Sequence, residues 1–444
     1  MFRLHCSSKE CSKYCSKLYS EQRLFLTILL CFASATPAWA GEADQLFTQS
    51  QAAIFQVRVV DTAANNKSST GTGFMVAAEG LLATNYHVIA SAIDAPDKYR
   101  IELVLPNRSF LAAKIVNVDI VNDLALLQVD PALLAEPPVA PLLLAQRESV
   151  KGETVYSIGF PFDLGITVID GTYNGFAPYS VSQRVHFSGS LNPGMSGGPA
   201  FNGEGEVIGV NVSTAGNQMS FLVPVESLAR LLAAPKVDSV TEIPALLTKQ
   251  LTLNTERLVG EMLAGDWTTE PLAGARALGE ITPFLRCWGN SKDTRDKSDR
   301  RPFYVTRACQ TDHNIYVNRN LMTGSMEQQF YWVESDDLNT IQFYEYYQRI
   351  FAAYRPGNFG TAKDLGNWDC EENFVQANNL GMERTKAIFC LRAYKKFPGL
   401  FDVLFVQGSI DRAQQGFVTH FTLAGTTREM AMAFTTRFME ADVW

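Results

Sequence analysis

The chain has 444 residues, of which 46% are hydrophobic and 19% are charged, as expected for two or three globular domains. Its formal net charge is −8; residues 1–40 carry five basic and two acidic side chains, so the remainder has a charge of −11. Such an acidic chain lacks the basic surface that binds phosphate backbones, and we predict no nucleic-acid partner.

The N-terminus has the features of an export signal. A basic stretch from Arg3 to Arg23 precedes an apolar run from Leu24 to Ala33, and Ala38, Trp39 and Ala40 follow. The run is too short to span a bilayer comfortably, and an Ala-x-Ala triplet is typical of a cleavage site. We therefore predict a signal peptide over residues 1–40, no stable membrane span after its cleavage, and export to the bacterial periplasm or the extracellular space. An uncleaved anchor is the alternative.

From about Gln51 to Pro224, short apolar runs such as IFQVRVV, DLALLQV and EVIGVNV alternate with turn clusters such as NNKSSTGTG and NGEGE. This rhythm predicts an all-β domain, either a two-barrel fold or a sandwich. The segment VESLARLLAA, from Val225, has helical spacing and closes the domain at about residue 235. Residues 236–275 are predicted to be a linker leading into a helix.

Residues 276–444 are predicted to form an α+β domain. Four of the eight cysteines lie within residues 1–40, and the other four lie here: Cys287, Cys309, Cys370 and Cys390. An even number in an exported chain favours disulfides over metal ligation, since CxxC spacing and clustered histidines are absent. We predict neither a metal nor any other cofactor. Four cysteines allow three connectivities.

A faint internal duplication favours one of these connectivities. The second cysteine pair follows the first at offsets of 83 and 81 residues. In each unit a hairpin-like pair of strands comes next, NIYVNRN with EQQFYWVES and then FDVLFVQGS with GFVTHFTLA. We therefore interpret residues of about 280–355 and 365–440 as two repeats, and expect disulfides Cys287–Cys309 and Cys370–Cys390.

Three motifs carry candidate catalytic residues: TNYHVI with His87, NDLALLQV with Asp123, and NPGMSGGPAF with Ser196. The order His, Asp, Ser is one of three chain orders known for this triad. His87 would accept the proton of Ser196, and Asp123 would orient the imidazole; Asp119 could compete for that role. The amides of Gly194 and Ser196 would form the oxyanion hole.

Taken together, these motifs resemble the HtrA/Deg group of trypsin-like serine endopeptidases. The other matching pieces are GTGFMV, YSIGFPF, GITVIDGTYNGF, GEVIGVNVS and SFLVP, in order across residues 71–227. The resemblance implies a chymotrypsin-like double β-barrel over residues 41–235, with the triad in the cleft between the barrels. It also implies hydrolysis of protein or peptide substrates through an acyl-enzyme. Relatives often assemble, which leaves a homo-oligomer open. No PDZ domain is recognisable.

Two features of the motifs bear on activation and specificity. Met195 stands where zymogen-activated relatives hold an aspartate, which argues against activation by cutting the N-terminus. The resemblance places Ser190, Leu191, Val212 and Ser213 around the pocket for the residue before the scissile bond. None is acidic, so we predict a preference for small or medium apolar side chains, because burying an unpaired cation is costly.

Two other functions remain as alternatives. GMSGG also fits the Gly-x-Ser-x-Gly elbow of an esterase, but that elbow must lead into a helix, and Gly197, Gly198 and Pro199 are poor helix formers. The other alternative is a catalytically inactive, protease-fold binding or chaperone-like protein.

Overall fold

The computed structural model describes residues 41–134, 138–292, 302–312, 314–355, 358–376 and 384–441. The predicted signal peptide lies outside them. Contacts divide the chain after Thr48, and the unit that begins at Gln49 contains both barrels and the C-terminal region. Helix α1 spans Glu42–Ser50. Within the described ranges, no helix has the length and apolar character needed to cross a membrane.

The first barrel is closed and antiparallel, with strand order β1-β2-β3-β6-β5-β4. Its strands are β1 (Ile54–Asp61), β2 (Asn66–Ala77), β3 (Leu81–Thr84), β4 (Tyr99–Val104), β5 (Phe110–Asp119) and β6 (Leu124–Gln128). Val57 and Val59, at alternate positions of β1, are fully buried, because successive side chains of a strand point to opposite faces.

The second barrel is also closed and antiparallel, with strand order β10-β11-β12-β9-β8-β7. Its strands are β7 (Thr154–Gly159), β8 (Thr167–Phe176), β9 (Val185–Phe187), β10 (Pro199–Phe201), β11 (Val207–Gly216) and β12 (Met219–Pro224). The prediction of an all-β double barrel is therefore confirmed.

Three helices accompany the barrels: α2 (Tyr86–Asp94), α3 (Val225–Ala233) and α4 (Ile243–Ala264). Helices α3 and α4 lie in the two segments after Pro224 for which helices were expected. The first half of α4 contributes Ile243, Leu247 and Leu251 to the core of the first barrel. Its second half contributes Leu258 and Met262 to a separate core in the C-terminal region. One helix therefore joins both regions by packing.

The C-terminal region is α+β, as predicted. Its main sheet has seven strands in the order β15-β16-β19-β23-β22-β21-β20. The strands of this region are β13 (Thr269–Leu272), β14 (Ala275–Leu278), β15 (Arg286–Lys292), β16 (Phe303–Gln310), β17 (Ile315–Asn318), β18 (Leu321–Thr323), β19 (Met326–Glu334), β20 (Asp369–Gln376), β21 (Arg384–Ala393), β22 (Leu400–Ser409) and β23 (Gln415–Thr427). Helices α5 (Thr340–Ala353) and α6 (Arg428–Glu440) complete it.

The disulfides join Cys287 to Cys309 and Cys370 to Cys390, which confirms the expected connectivity. In both cases the cysteines face each other directly across an antiparallel pair, β15 with β16 and β20 with β21. These hairpins form the two opposite edges of the seven-stranded sheet.

One expected strand pair is wrong. NIYVNRN does not pair with EQQFYWVES: β17 turns back at Arg319 and Asn320 to pair with β18 in a separate two-stranded sheet. The amide of Asn320 donates to the side chain of Asn318 (2.8 Å), which stabilises this turn. Strand β19 instead pairs with β16 and β23. The second expected pair, β22 with β23, is present. The internal duplication stays a prediction.

Candidate active site

Ser196 lies in a tight turn between β9 and β10. Hydrogen bonds from the Met195 amide to the Asn192 carbonyl and from the Gly198 amide to the Met195 carbonyl, both 3.0 Å, close the turn. Across the barrels, the Thr72 amide of β2 donates to the Ser196 carbonyl (2.8 Å). The serine is thus fixed where the two barrels meet.

Glycine is required on both sides of this serine. Gly194 has φ of 99°, and a Cβ there would lie 2.2 Å from the Phe160 carbonyl oxygen. Gly197 has φ of 84°, and its Cβ would lie 2.2 Å from the Thr72 carbonyl oxygen and 2.9 Å from the Asn85 amide. Only glycine tolerates both the backbone conformation and the close approach. The contact with Asn85 brings the turn against the start of α2.

The Gly194 and Ser196 amides are available to a ligand. The Gly194 carbonyl accepts a hydrogen bond from the Thr72 hydroxyl (2.7 Å), and the Pro193 carbonyl accepts one from the Phe162 amide (3.0 Å). These bonds fix the peptide planes on both sides of Gly194. Among the hydrogen bonds of the described residues, neither amide donates to a protein acceptor. Two free donors in a fixed loop are what an oxyanion hole requires.

His87 and Asp123 are joined by two hydrogen bonds. His87 lies in the first turn of α2, where a backbone N–H has no partner within the helix. Oδ1 of Asp123 accepts from that N–H (2.8 Å), and Oδ2 accepts from Nδ1 of the ring (2.6 Å). The Asn85 side-chain amide donates a hydrogen bond to the Asp123 backbone carbonyl (2.8 Å). Since an ionised carboxylate can only accept, Nδ1 carries the proton and Nε2 is left as a base.

The competing carboxylate is engaged elsewhere. Asp119 accepts from the amide of Asn122 (3.0 Å) and from its side chain (2.7 Å), and so caps the turn between β5 and β6. Asp123, at the end of the same turn, has φ of 61°. This unusual backbone conformation lets the short turn present Asp123 to His87.

The pKa of His87 is raised above its ordinary value. Burial, the largest single influence, lowers the pKa, and so does the charge of Arg184. The charge of Asp123 and its hydrogen bond to the ring outweigh both. The His87 side chain keeps 28% of its surface exposed, so solvent still reaches the ring.

The Ser196 hydroxyl donates to the Val212 carbonyl (3.3 Å). Among the hydrogen bonds of the described residues, none joins it to the His87 ring. Rotation about one side-chain bond moves a serine hydroxyl between staggered positions, and catalytic hydrogen bonds are commonly loose before substrate binds.

The four residues predicted to line the specificity pocket fall into two groups. Ser190 and Ser213 are exposed, whereas Leu191 and Val212 are buried. Leu191 packs with Met195 in the core of the second barrel. Met195 is fully buried there, so apolar packing holds the position before the serine.

Two positioning residues escaped the sequence analysis. Thr72 makes the contacts described above, and its place between Gly71 and Gly73 could have indicated a special role. Asn211 is fully buried: its side chain accepts from Ser157 (2.9 Å) and donates to the Met195 carbonyl (3.3 Å). A polar residue inside the apolar strand VIGVNV was the available signal.

Residues 71–210 match the family model described as "Trypsin-like peptidase domain", and this range includes strands of both closed barrels. The similarity extends to the HtrA/Deg group. The chain is 33% identical over 173 residues to "Serine protease HTRA2, mitochondrial" of Bos taurus, covering 37% of this chain and 36% of that protein.

It is also 36% identical over 168 residues to "Probable periplasmic serine endoprotease DegP-like" of Pseudomonas fluorescens, covering 36% and 33%. A match to the "Crystal structure of Deg5" has 25% identity, a TM-score of 0.37, and coverage of 43% of this chain and 91% of that one. The chain thus spans about a third of the length of the curated relatives it matches.

Proposed function

We propose that this protein is an exported serine endopeptidase that uses His87, Asp123 and Ser196 as its catalytic triad. The observation that carries the proposal is the pair of hydrogen bonds that His87 donates to the Asp123 carboxylate, at 2.6 and 2.8 Å. These bonds support the His87 tautomer in which Nδ1 carries the proton and Nε2 is free to act as a general base. His87 lies on α2, whose start contacts the Ser196 turn. The HtrA and DegP-like relatives, named serine proteases, support the same class of reaction.

The proposed reaction has two halves. Nε2 of His87 takes the hydroxyl proton as Ser196 Oγ bonds to the scissile carbonyl carbon, and the Gly194 and Ser196 amides stabilise the resulting oxyanion. His87 then gives the proton to the leaving nitrogen as the C–N bond breaks, which leaves an acyl-enzyme. Water attacks the ester by the same route and restores Ser196.

We propose a preference for small or medium apolar residues before the scissile bond. None of Ser190, Leu191, Val212 and Ser213 carries a charge to pair with a buried Lys or Arg side chain, and such burial costs several kcal/mol. Digestion of a peptide library should give cleavage after residues such as Ala and Val. Cleavage confined to Lys and Arg would exclude this preference.

Export is proposed on two grounds. One relative is named as periplasmic, and the two disulfides suit an oxidising compartment. Fractionation of the producing cell, with N-terminal sequencing of the mature protein, tests this directly. A protein recovered in the cytosol with residues 1–40 intact would contradict it.

The catalytic proposal is tested by labelling with a fluorophosphonate, which reacts with an activated serine. We expect the wild-type protein to be labelled and Ser196→Ala and His87→Ala to be unlabelled. Ser109→Ala, on the exposed turn between β4 and β5, is the matched control and should be labelled like the wild type. A folded wild-type protein without labelling would favour the inactive binding protein, and labelling that survives Ser196→Ala would exclude this serine.

A further inference from the structure

The hairpin β17–β18 of the C-terminal region contacts both ends of α2, the helix that carries His87. At the start of α2, the Tyr86 hydroxyl donates to the Val317 carbonyl (3.0 Å). At its end, Asp94 accepts from Asn318 (3.3 Å) and Lys363 (3.2 Å). His87 lies between these anchor points.

Apolar packing reinforces the same interface. Ile315, Val317 and Leu321 of the hairpin are buried in one continuous cluster with Tyr86 and Ile89 of α2. Their exposed fractions are 7%, 4% and 1%, as low as those within the barrel. The hairpin therefore has a fixed position relative to the catalytic helix.

A second set of contacts fixes the segment that precedes this hairpin in the chain. The Asp312 side chain accepts from the amide of Val181 (3.4 Å) in the loop between β8 and β9 of the second barrel. Arg257 of α4 donates to the Val181 carbonyl (3.3 Å), and the Arg286 guanidinium lies 4.1 Å from the ring centre of Tyr179 in the same loop. The C-terminal region thus contacts the second barrel as well as the first.

The packing of the hairpin against α2 places Tyr316 beside His87. Ile315 and Val317 face the core, so Tyr316 faces the other way, and it is half-buried. Its ring centre lies 6.2 Å from that of His87, with the planes at 77°. This is the edge-to-face geometry that aromatic pairs favour. His87 thus has the Asp123 carboxylate at Nδ1 and the Tyr316 ring as a second neighbour.

We propose that Tyr316 is a positioning residue of the active site, which limits rotation of the His87 ring and so keeps Nε2 aimed at Ser196. The inference rests on the proposed function. Asp123 holds the imidazole at a single ring atom, and a ring held at one atom can still swing about that contact. A packed aromatic neighbour removes that freedom. The C-terminal region therefore completes the catalytic site.

Four full-length proteins test the proposal: wild type, Tyr316→Phe, Tyr316→Ala and Met322→Ala. Met322 lies opposite Tyr316 across the hairpin and is 38% exposed, so it controls for general disturbance of β17–β18. The rate of fluorophosphonate labelling is measured from pH 5 to 9, and NMR follows the titration of the His87 ring. Charged groups acting on that ring are Asp123 and Arg184.

We expect Tyr316→Phe and Met322→Ala to label within about two-fold of the wild type. Tyr316→Ala should label about ten-fold more slowly, since misplacing a reacting group by about 1 Å can cost up to about 100-fold. The pKa of His87 should rise in Tyr316→Ala, because opening one side of the ring to water relieves the burial that lowers this pKa.

The outcomes separate the two proposals. A wild-type protein that is not labelled would overturn the proposed function and the role of Tyr316 with it. Wild-type labelling with an equal rate and an equal His87 pKa in Tyr316→Ala would overturn the role of Tyr316 alone. Faster labelling of Tyr316→Ala would also overturn it, because Tyr316 would then obstruct the site. Equal losses in Tyr316→Ala and Met322→Ala would show that only hairpin packing matters.

Discussion

Replacing Asp123 by asparagine tests the central contact of the site with little change in shape. If the amide oxygen keeps the hydrogen bond from the His87 N–H, the amide nitrogen replaces the oxygen now 2.6 Å from Nδ1. An amide nitrogen donates, so Nδ1 must become the acceptor and Nε2 must carry the proton. Nε2 can then no longer act as the proposed base.

The expected loss in rate is about 10⁴-fold, as for the wrong tautomer in this triad, which corresponds to about 5.4 kcal/mol of activation free energy. The pKa of His87 should change as well. Asp123 supplies both influences that raise it, whereas burial and Arg184 lower it. Without Asp123, the pKa of His87 should therefore fall below its ordinary value of about 6.5.

The assay is the rate of fluorophosphonate labelling from pH 5 to 9. Reaction requires neutral His87, so the wild-type rate should rise with pH, with a midpoint above about 6.5. In Asp123→Asn the remaining rate should have its midpoint below that value. Asp119→Asn is the matched control, because Asp119 contacts Asn122, and its rate should stay within a few-fold of the wild type. A variant rate within ten-fold of the wild type, or an unchanged midpoint, would refute the argument.

Stability should depend on pH in the opposite sense to activity. A folded-state pKa above the unfolded value means that protonation of His87 favours folding. This contribution is fully present below about pH 6.5 and is lost as pH rises through the folded pKa. Thermal unfolding of wild type and Asp123→Asn between pH 5 and 8 should therefore show a difference that shrinks with increasing pH.

Three further predictions concern the framework. In urea unfolding, Gly197→Ala should lower the free energy of unfolding by about 3 kcal/mol or more, because the effects of positive φ and overpacking add. Gly216→Ala, also at positive φ but in open space, should lower it by about 1 kcal/mol. Equal losses in the two variants would contradict the packing argument. Replacing both cysteines of either disulfide by serine should lower the free energy of unfolding by about 3 kcal/mol, and a loss below about 0.5 kcal/mol would show that loop closure contributes little. Arg392→Met should lower the free energy of unfolding by about 3 kcal/mol, because it removes the cation that pairs with the fully buried Asp402 at 2.8 Å and leaves that carboxylate with the neutral side-chain donors Asn358 and Tyr394; an unchanged melting temperature would rule this out.

Much of the candidate site could be predicted from local sequence. The turn around Ser196 needs glycine at two positions of positive φ, and such steric needs leave a direct trace in the sequence. The order of His87, Asp123 and Ser196 along the chain then indicated which of the known triad arrangements this site resembles. The sequence favoured Asp123 over Asp119, and the structure gives the reason: the turn between β5 and β6 brings the Asp123 carboxylate to His87 of α2, whereas Asp119 accepts from Asn122.

The C-terminal region shows where sequence patterns fail. Cysteine spacing predicted both disulfides, because residues that face each other across a hairpin are close in sequence. The predicted pairing partner of β17 was wrong, because the sequence of a short apolar strand contains too little pattern to select one of several neighbouring strands. That strand is the one that carries Tyr316.

The sequence by itself determined the all-β character of the first domain, the glycine turn around Ser196 and the cysteine pairs, since each depends on interactions between neighbouring residues or on a repeated local pattern. The tertiary structure alone decided that Asp123 binds His87 at two points, and that Tyr316, 229 residues beyond His87 in the chain, lies against its ring. Contacts of such long range arise from the packing of whole elements. A sequence pattern has a period of a few residues and does not encode them.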